Sequence, residues 1–271
     1  MIRFLILAGY FELTMYLQLS GKLNQYINLH YSYLAYISMF LSFVLALVQL
    51  IIWVKQMKIH SHLSGFWAKV ASIFLLCIPL FVGLFFPTVT LDSQTVSAKG
   101  YHFPVAAGSS KGIQQDEGTT TQYLKPDTSS YFTKSAYESE MKQAAKKYVD
   151  KKVIQVTTEN YMEVMEVIYD YPDQFAGKTI ELTGFVYNDP NNKDSQFLFR
   201  FGIIHCIADS GVYGLLTTGA PQHFENNTWI HAKGTLSIEY HKQLKQSLPV
   251  LHISDCQTIT KPDNPYVYRV F

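Results

Sequence analysis

The sequence lacks the short motifs that define several common enzyme classes. It contains no Walker-type phosphate loop and no paired carboxylates in a setting that indicates acid–base catalysis, and its one Gly-x-Ser-x-Gly match, at residues 108–112, lies in a polar segment without the strand and helix patterns of a nucleophile elbow. Cysteine is scarce, with three residues in 271, and neither Cys-x-x-Cys nor His-x-x-x-His spacing occurs. These absences exclude the enzyme classes that the motifs define, and we expect a protein that is not an enzyme and has no cofactor.

The chain also lacks an excess of charge of either sign. Its 22 basic and 21 acidic residues give a net charge of +1. Residues 1–96 hold only five basic and two acidic residues, so the remainder, with 17 and 19, is near neutral. A near-neutral domain does not attract a nucleic-acid backbone, and we therefore expect no nucleic-acid partner.

The first third of the chain contains long apolar runs. Residues 33–54 carry no formal charge, and a helix of that length, at about 1.5 Å per residue, crosses a hydrocarbon core of roughly 30 Å. Residues 67–89 form a similar run, and residues 2–19 a shorter one without a following signal-peptide cleavage site. The sequence therefore predicts three transmembrane helices within residues 1–90, and a lipid bilayer as their surroundings.

Glu12 interrupts the first of these runs. A carboxylate at membrane depth is costly unless it is protonated or paired, so it usually faces other helices. We expect Glu12 at an interface between helices, and a role in an ion or proton path is the alternative.

The lysines predict an orientation for the three helices. Lys55, Lys58 and Lys69 lie in or beside the loop between the second and third runs, whereas the loop between the first two contains only Lys22. Lysine-rich loops face the cytoplasm. We therefore expect a multi-pass protein of the cell membrane with a cytoplasmic N-terminus and everything beyond residue 89 outside the cell.

The polar remainder begins with a segment that has no clear period. Residues 91–134 are rich in Ser, Thr, Gly and Gln and are predicted to be a linker. Residues 135–157 consist largely of good helix formers and form a connecting helix region. A further helix should follow Asn160, which can cap it, with Tyr161 and Ile168 on its apolar face.

Residues 158–271 complete the predicted organisation as an extracellular domain. Five strand-like runs occupy residues 179–187, 197–207, 212–217, 229–240 and 250–259. Five short strands with turn residues between them, preceded by a helix, are typical of an OB-type barrel. The predicted fold is therefore three transmembrane helices followed by a soluble α+β domain, mainly a small OB-like β-barrel.

The densest group of ligand-capable residues is His205-Cys206 with nearby Asp209. Neighbouring residues of a strand point to opposite faces, so His205 and Cys206 cannot easily bind one metal. Cys206 and Asp209, with a distant His231 or His252, are the candidate metal ligands.

A structural interpretation of the same group remains open. Cys206 would then lie in the barrel core, and Asp209 would cap the turn that begins at Ser210. Cys206 and Cys256 could form a disulfide outside the cell, or they could remain inert buried thiols.

Several segments together resemble the YcgQ-like family of Gram-positive permease subunits. The shared residues are Ser20-Gly21, Tyr26-Ile27, Tyr31 to Leu34, Leu91-Asp92-Ser93, Tyr171-Pro172-Asp173, Phe175, Gly177-Lys178, Gly184 to Tyr187, Arg200, Cys206 and Ala208-Asp209. The resemblance covers nearly the whole chain. It implies an inner set of helices, an outer OB-like domain and function beside a separate multi-spanning permease.

These observations predict a non-enzymatic, membrane-anchored accessory subunit of a permease or transport system. Its outer β-barrel would contact the permease or the cargo. The alternative is an independent membrane-tethered extracellular module that binds a small ligand or a metal.

Overall fold

The structure, a computed structural model, describes residues 1–57, 65–86, 88–100, 134–190, 196–241 and 246–270. The chain divides into two compact units, Met1–Thr90 and Leu91–Phe271. Lys58, Pro87 and most of the predicted linker, residues 101–133, lie outside the described residues.

The first unit contains three helices that are long and apolar enough to cross a membrane. They are α1 (Ile2–Leu19), α2 (Ser32–Val54) and α3 (Phe66–Phe85). The prediction of three helices is confirmed, but α3 ends before the predicted residue 89. Phe86 already has an extended backbone, with φ −97° and ψ 135°. A following proline disfavours the helical conformation, which explains the earlier end.

Helix α1 contacts both of the other helices in this unit. The rings of Phe11 in α1 and Phe43 in α2 have centroids 5.3 Å apart. Toward α3, a Cβ added at Gly83 would come within 2.9 Å of Leu13 Cδ2. Glycine therefore lets α1 and α3 approach closely, as small residues commonly do between membrane helices.

These three helices bury very little of their surface within the unit. None of the apolar window in α1 or α3 is buried, and only 6% of that in α2. Phe40, Trp67 and Phe74 are 64%, 80% and 65% exposed. An apolar surface of this extent is not compatible with water, so the unit belongs in a membrane.

The second unit is a mixed seven-stranded sheet with helices packed against it. Its strands are β1 (Val153–Gln155), β2 (Thr179–Asn188), β3 (Gln196–Ile203), β4 (Gly211–Thr218), β5 (Trp229–His241), β6 (Gln246–Thr258) and β7 (Val267–Tyr268). The strand order is β1-β2-β5-β6-β4-β3-β7, and β2 also pairs with β3. The strand pairing therefore forms a closed circuit, which runs from β2 through β3, β4, β6 and β5 and back to β2. Among these five pairings only β4–β6 is parallel.

The helices of this unit are α4 (Ser93–Lys99), α5 (Lys134–Val149), α6 (Tyr161–Asp170) and α7 (Pro172–Phe175). Tyr161 and Ile168 of α6 are fully buried, which confirms the predicted apolar face. The Tyr169 hydroxyl donates to the carbonyl of Gly214 in β4 over 2.9 Å. Helix α6 is thereby fixed to the sheet, whose strands β3 and β4 are buried almost throughout.

The predicted linker is wrong at its beginning, where Ser93–Lys99 form α4. Asp92 caps this helix, and its Oδ1 accepts from the backbone amides of Gln94 and Thr95 over 3.0 and 3.3 Å. Val96 is 1% exposed within the core of the second unit. A single buried apolar residue in seven produces no detectable period, so the pattern did not indicate a helix.

Two further details differ from the predicted course of the chain. The connecting helix region contains β1 after α5 has ended, and Lys178 closes that helix by donating to the carbonyls of Val149 and Lys151. Asn160 does not cap α6 with its side chain. Its Oδ1 instead accepts from the amide of Thr157 over 2.7 Å, so it closes the preceding turn.

Candidate functional site

The exposed side of α1 carries one acidic residue among apolar ones. We call Leu5, Glu12, Met15, Tyr16 and Leu19 the Glu12 face; all five side chains are exposed. At about 100° of rotation per residue they fall within roughly one third of the helix circumference. In the described part of the chain, no hydrogen bond or ion pair joins Glu12 to another group.

Hydroxyl groups near Glu12 bind elsewhere. Tyr10 donates to the carbonyl of Leu76 in α3 over 2.9 Å, which joins the two helices. Thr14 donates to the carbonyl of Tyr10 within α1, and Tyr16 accepts from Lys22 Nζ over 3.2 Å. Of these three hydroxyls, only that of Tyr10 therefore joins two of the apolar helices.

Cys206 and Asp209 form a tight corner after β3. The Asp209 carboxylate accepts from the backbone amides of His205 and Cys206, each over 3.0 Å, and lies 2.7 Å from His205 Nδ1. The Cys206 side chain accepts from the backbone of Asp209, at the start of the short 3-10 helix Ile207–Asp209. The corner is a reciprocal capping arrangement, and it breaks the predicted strand over 197–207.

Both parts of the structural interpretation of this corner need correction. Cys206 is half-buried and does not lie in the core. Asp209 holds the amides that precede it and does not cap the turn at Ser210, because its carboxylate points back along the chain.

The cysteines do not pair in this structure. Cys77, Cys206 and Cys256 are all free and half-buried, so of the two alternatives for Cys206 and Cys256 the structure shows unpaired thiols and no disulfide. Cys256 lies on β6 opposite Ala232 of β5. Burial raises the pKa of the Cys256 thiol, and the negative charge of Asp255 adds to this increase.

The structure does not bring the four candidate metal ligands together. Cys206 and Asp209 share the corner, while His231 lies between Glu181 and Thr183, and His252 contacts Thr218. Across the described ranges, no three His, Cys, Asp or Glu side chains form a group that could hold a metal ion.

Both histidines bridge a hydroxyl and a carboxylate on the outer face of the sheet. His231 has Thr183 Oγ1 at 2.9 Å from Nδ1 and Glu181 Oε1 at 3.0 Å from Nε2. His252 has Thr218 Oγ1 at 2.8 Å from Nδ1 and Glu239 beside Nε2. The alternation of buried and exposed residues along β5 is the sequence signal for this polar face, but it does not identify the partners on other strands.

Arg200 lies inside the second unit and has a structural role. It is 3% exposed, between the rings of Tyr161 and Trp229 at 5.7 Å each. Its guanidinium donates to Thr158 Oγ1 and to the carbonyls of Asn264, Pro265 and Tyr266 over 3.0–3.2 Å. Burial lowers the pKa of Arg200. This residue of the family resemblance therefore attaches the C-terminal segment to β3.

A buried ion pair, not predicted from the sequence, holds the same segment to α6. Arg269 Nη1 lies 2.9 Å from Glu166 Oε1, with the two side chains 9% and 7% exposed. Burial raises the pKa of Glu166 to about 7, although the charge of Arg269 opposes that increase. A cavity of about 210 Å³ adjoins the pair.

The architecture defines a class of membrane-anchored protein with three apolar helices and a separately folded mixed-sheet domain. Residues 2–102 match the DUF1980 N-terminal domain, and residues 131–269 match the DUF1980 C-terminal domain. The chain belongs to this family.

Two full-length relatives support the same assignment. The chain is 68% identical, over all 271 residues of both proteins, to a Streptococcus mutans protein named "Putative two-component membrane permease complex subunit". It is 40% identical to the UPF0703 protein YcgQ of Bacillus subtilis, again across the whole of both chains. The YcgQ-like resemblance seen in the sequence is thereby confirmed.

Proposed function

We propose that this protein is a non-enzymatic accessory subunit of a membrane permease complex. The name of the Streptococcus mutans relative supports this role, since the two chains align over their full lengths. The proposal includes a polytopic partner that carries the transport pathway.

The observation that carries the proposal is how little of their apolar surface the three helices bury within their own unit. With none of the apolar window of α1 or α3 buried, the described helices enclose little interior in which polar groups could line a path. A transport path through a bilayer needs polar groups shielded from lipid. The path therefore belongs to a partner, and the exposed helix surfaces are available to bind it.

The second unit is proposed to be an OB-like barrel outside the cell. The closed circuit of β2, β3, β4, β6 and β5 supports this fold. Phe185, Tyr187 and Phe197 are at most 3% exposed, so these rings offer no stacking surface to bases. We assign the unit to contacts with the permease or its cargo, and we assign it no nucleic-acid partner.

Co-purification tests the proposal. The tagged full-length chain is extracted from native membranes in mild detergent, and the partners that remain in stoichiometric amount are identified. An unrelated three-span protein with the same tag is the control. We expect one polytopic transport protein specific to this chain. Recovery of the chain alone, in several detergents, would favour the independent tethered module instead.

A further inference from the structure

We propose that the Glu12 face of α1 binds a transmembrane helix of the partner subunit that carries a basic side chain opposite Glu12. This inference rests on the proposed function and specifies the partner at that surface. It is argued from the geometry of α1, the depth of Glu12 and the charges in the same unit.

The Glu12 face is the side of α1 that points toward neither α2 nor α3, although its Tyr16 accepts from Lys22. Phe11 points toward α2, where its ring meets Phe43. Tyr10 and Leu13 face α3, through the hydrogen bond to Leu76 and the contact at Gly83. Glu12 lies on the remaining side and is exposed.

Glu12 lies too deep for its side chain to reach water at either end of the helix. It is ten residues from Ile2 and seven from Leu19, which is about 15 Å and 10 Å at the rise of an α-helix. A glutamate side chain extends only a few ångströms, so it cannot snorkel over these distances as a terminal lysine can. The carboxylate therefore stays among apolar surroundings until another chain covers it.

The described residues of the first unit offer Glu12 no compensating charge. Among the described basic residues of the first unit, Lys22 donates to Tyr16, and Arg3, Lys55 and Lys69 lie near helix ends. None of them contacts Glu12. A neutral partner would do nothing to offset the cost of a carboxylate in hydrocarbon, whereas a Lys, Arg or His offsets that cost directly.

A second copy of this chain is a poorer match for the same face. A symmetric pair places the same surface patch on both sides of the interface. Two Glu12 carboxylates would then approach each other, and the repulsion disfavours the pair unless a proton is taken up. Charge complementarity thus points to a different chain.

Site-specific photo-cross-linking in native membranes tests the inference. A photoreactive residue replaces Leu5, Met15 or Leu19 in the full-length chain, and matched controls replace the exposed Phe40 of α2 and Phe74 of α3. We expect the three face positions to cross-link to one transmembrane segment of the co-purifying permease, with a Lys, Arg or His about one turn from the residue that position 15 reaches and about two turns from those that positions 5 and 19 reach. Cross-links only to lipid, to a second copy, or to a segment without a basic residue would overturn the inference.

A charge exchange provides the second measurement. Glu12→Gln is expected to lower the recovery of the permease about tenfold while the variant remains inserted. Glu12→Lys should abolish recovery, and exchanging the partner's basic residue for Glu should restore it. If the permease co-purifies with all Glu12 variants at native yield, the inference fails while the accessory-subunit proposal stands. If no permease is recovered with the native chain, the proposed function fails first.

Discussion

In the second unit, Arg200 is 3% exposed, and its guanidinium donates four hydrogen bonds to groups of its own chain. In the first unit, Glu12 lies exposed among apolar side chains and has no hydrogen bond or ion pair within the described residues. A domain in water must compensate its buried charges internally before it is stable. A small membrane unit can leave a charge for a partner chain, because its fold is set by apolar helices that do not depend on that charge.

The two units also expose opposite kinds of surface. Large apolar side chains such as Phe40 and Phe74 are exposed in the first unit, while Phe197 and Phe199 of the second are fully buried. The difference shows that the two parts of one chain are folded for different solvents.

The largest expected effect follows from this difference in solvent. Protease added to protoplasts of a Gram-positive host should remove the chain beyond about residue 93 and leave the membrane helices protected by lipid. Inside-out vesicles of the same cells are the control and should protect the second unit. Full protection in protoplasts would contradict the orientation predicted from Lys55 and Lys69.

A second effect tests the internal compensation of buried charge. Arg200→Ala leaves three backbone carbonyls and the Thr158 hydroxyl without their donor, and should reduce the free energy of unfolding by about 3–5 kcal/mol. Lys233→Ala is the matched control. Its ammonium lies 3.9 Å from Glu181 at the surface, so the loss should stay within about 0.5 kcal/mol.

Urea unfolding of the full chain in detergent measures both variants. Trp229 fluorescence reports the site directly, since its ring lies beside Arg200, in a background in which Trp53 and Trp67 are Phe. Equal losses for the two variants would show that Arg200 is no more important to the second unit than a surface lysine.

The Glu166–Arg269 pair should make stability depend on pH. The pKa of Glu166 is raised to about 7 in the folded state from the model-peptide value of 4.5, so the folded state holds an extra proton between these pH values. The contribution of Glu166 to the free energy of unfolding is therefore fully present below pH 4.5 and is lost as the pH rises through about 7. Glu166→Gln, which cannot titrate, should remove this part of the pH dependence.

The comparison between wild type and Glu166→Gln is made by urea unfolding at intervals from pH 4.5 to 8. The difference in unfolding free energy should fall with rising pH by a few kcal/mol at most. Glu159→Gln is the surface control, because the pKa of this exposed carboxyl is lowered by the Thr157 hydrogen bond, so most of its effect falls below this pH range and its difference should stay nearly flat. A pH-independent difference for Glu166→Gln would contradict the raised pKa.

The smallest effects are expected at the corner after β3. Asp209→Ala removes the acceptor of two backbone amides and should cost about 1 kcal/mol. Cys206→Ser keeps a capping side chain at the same position and should change stability by less than about 0.5 kcal/mol. Thermal unfolding of the two variants side by side distinguishes them, and a larger loss for Cys206→Ser would mean that the thiol has a further role.

Much of the fold could be predicted because its patterns are long. The 22 uncharged residues of 33–54 became α2 to within one residue, and the run over 179–187 became β2. The short elements contain too few residues to show a hydrophobic period. Strands β1 and β7 have three and two residues, and α4 has Val96 as its one buried apolar residue.

The sites were less predictable than the elements. Glu12 could be selected from the sequence because a single charge stands out in an apolar run. The partners of Arg200 could not, since its carbonyl acceptors at Asn264, Pro265 and Tyr266 lie more than 60 residues further along the chain.

By itself, therefore, the sequence determined where this protein enters a membrane and where its sheet strands run, because hydrophobic runs and turn residues act over a few neighbouring positions. The tertiary structure alone decided that Cys206 and Asp209 cap each other, that His231 and His252 lie in separate clusters, and that Glu166 pairs with Arg269. Those outcomes depend on strand register and helix packing, which bring distant residues within hydrogen-bond distance and leave no local trace in the sequence.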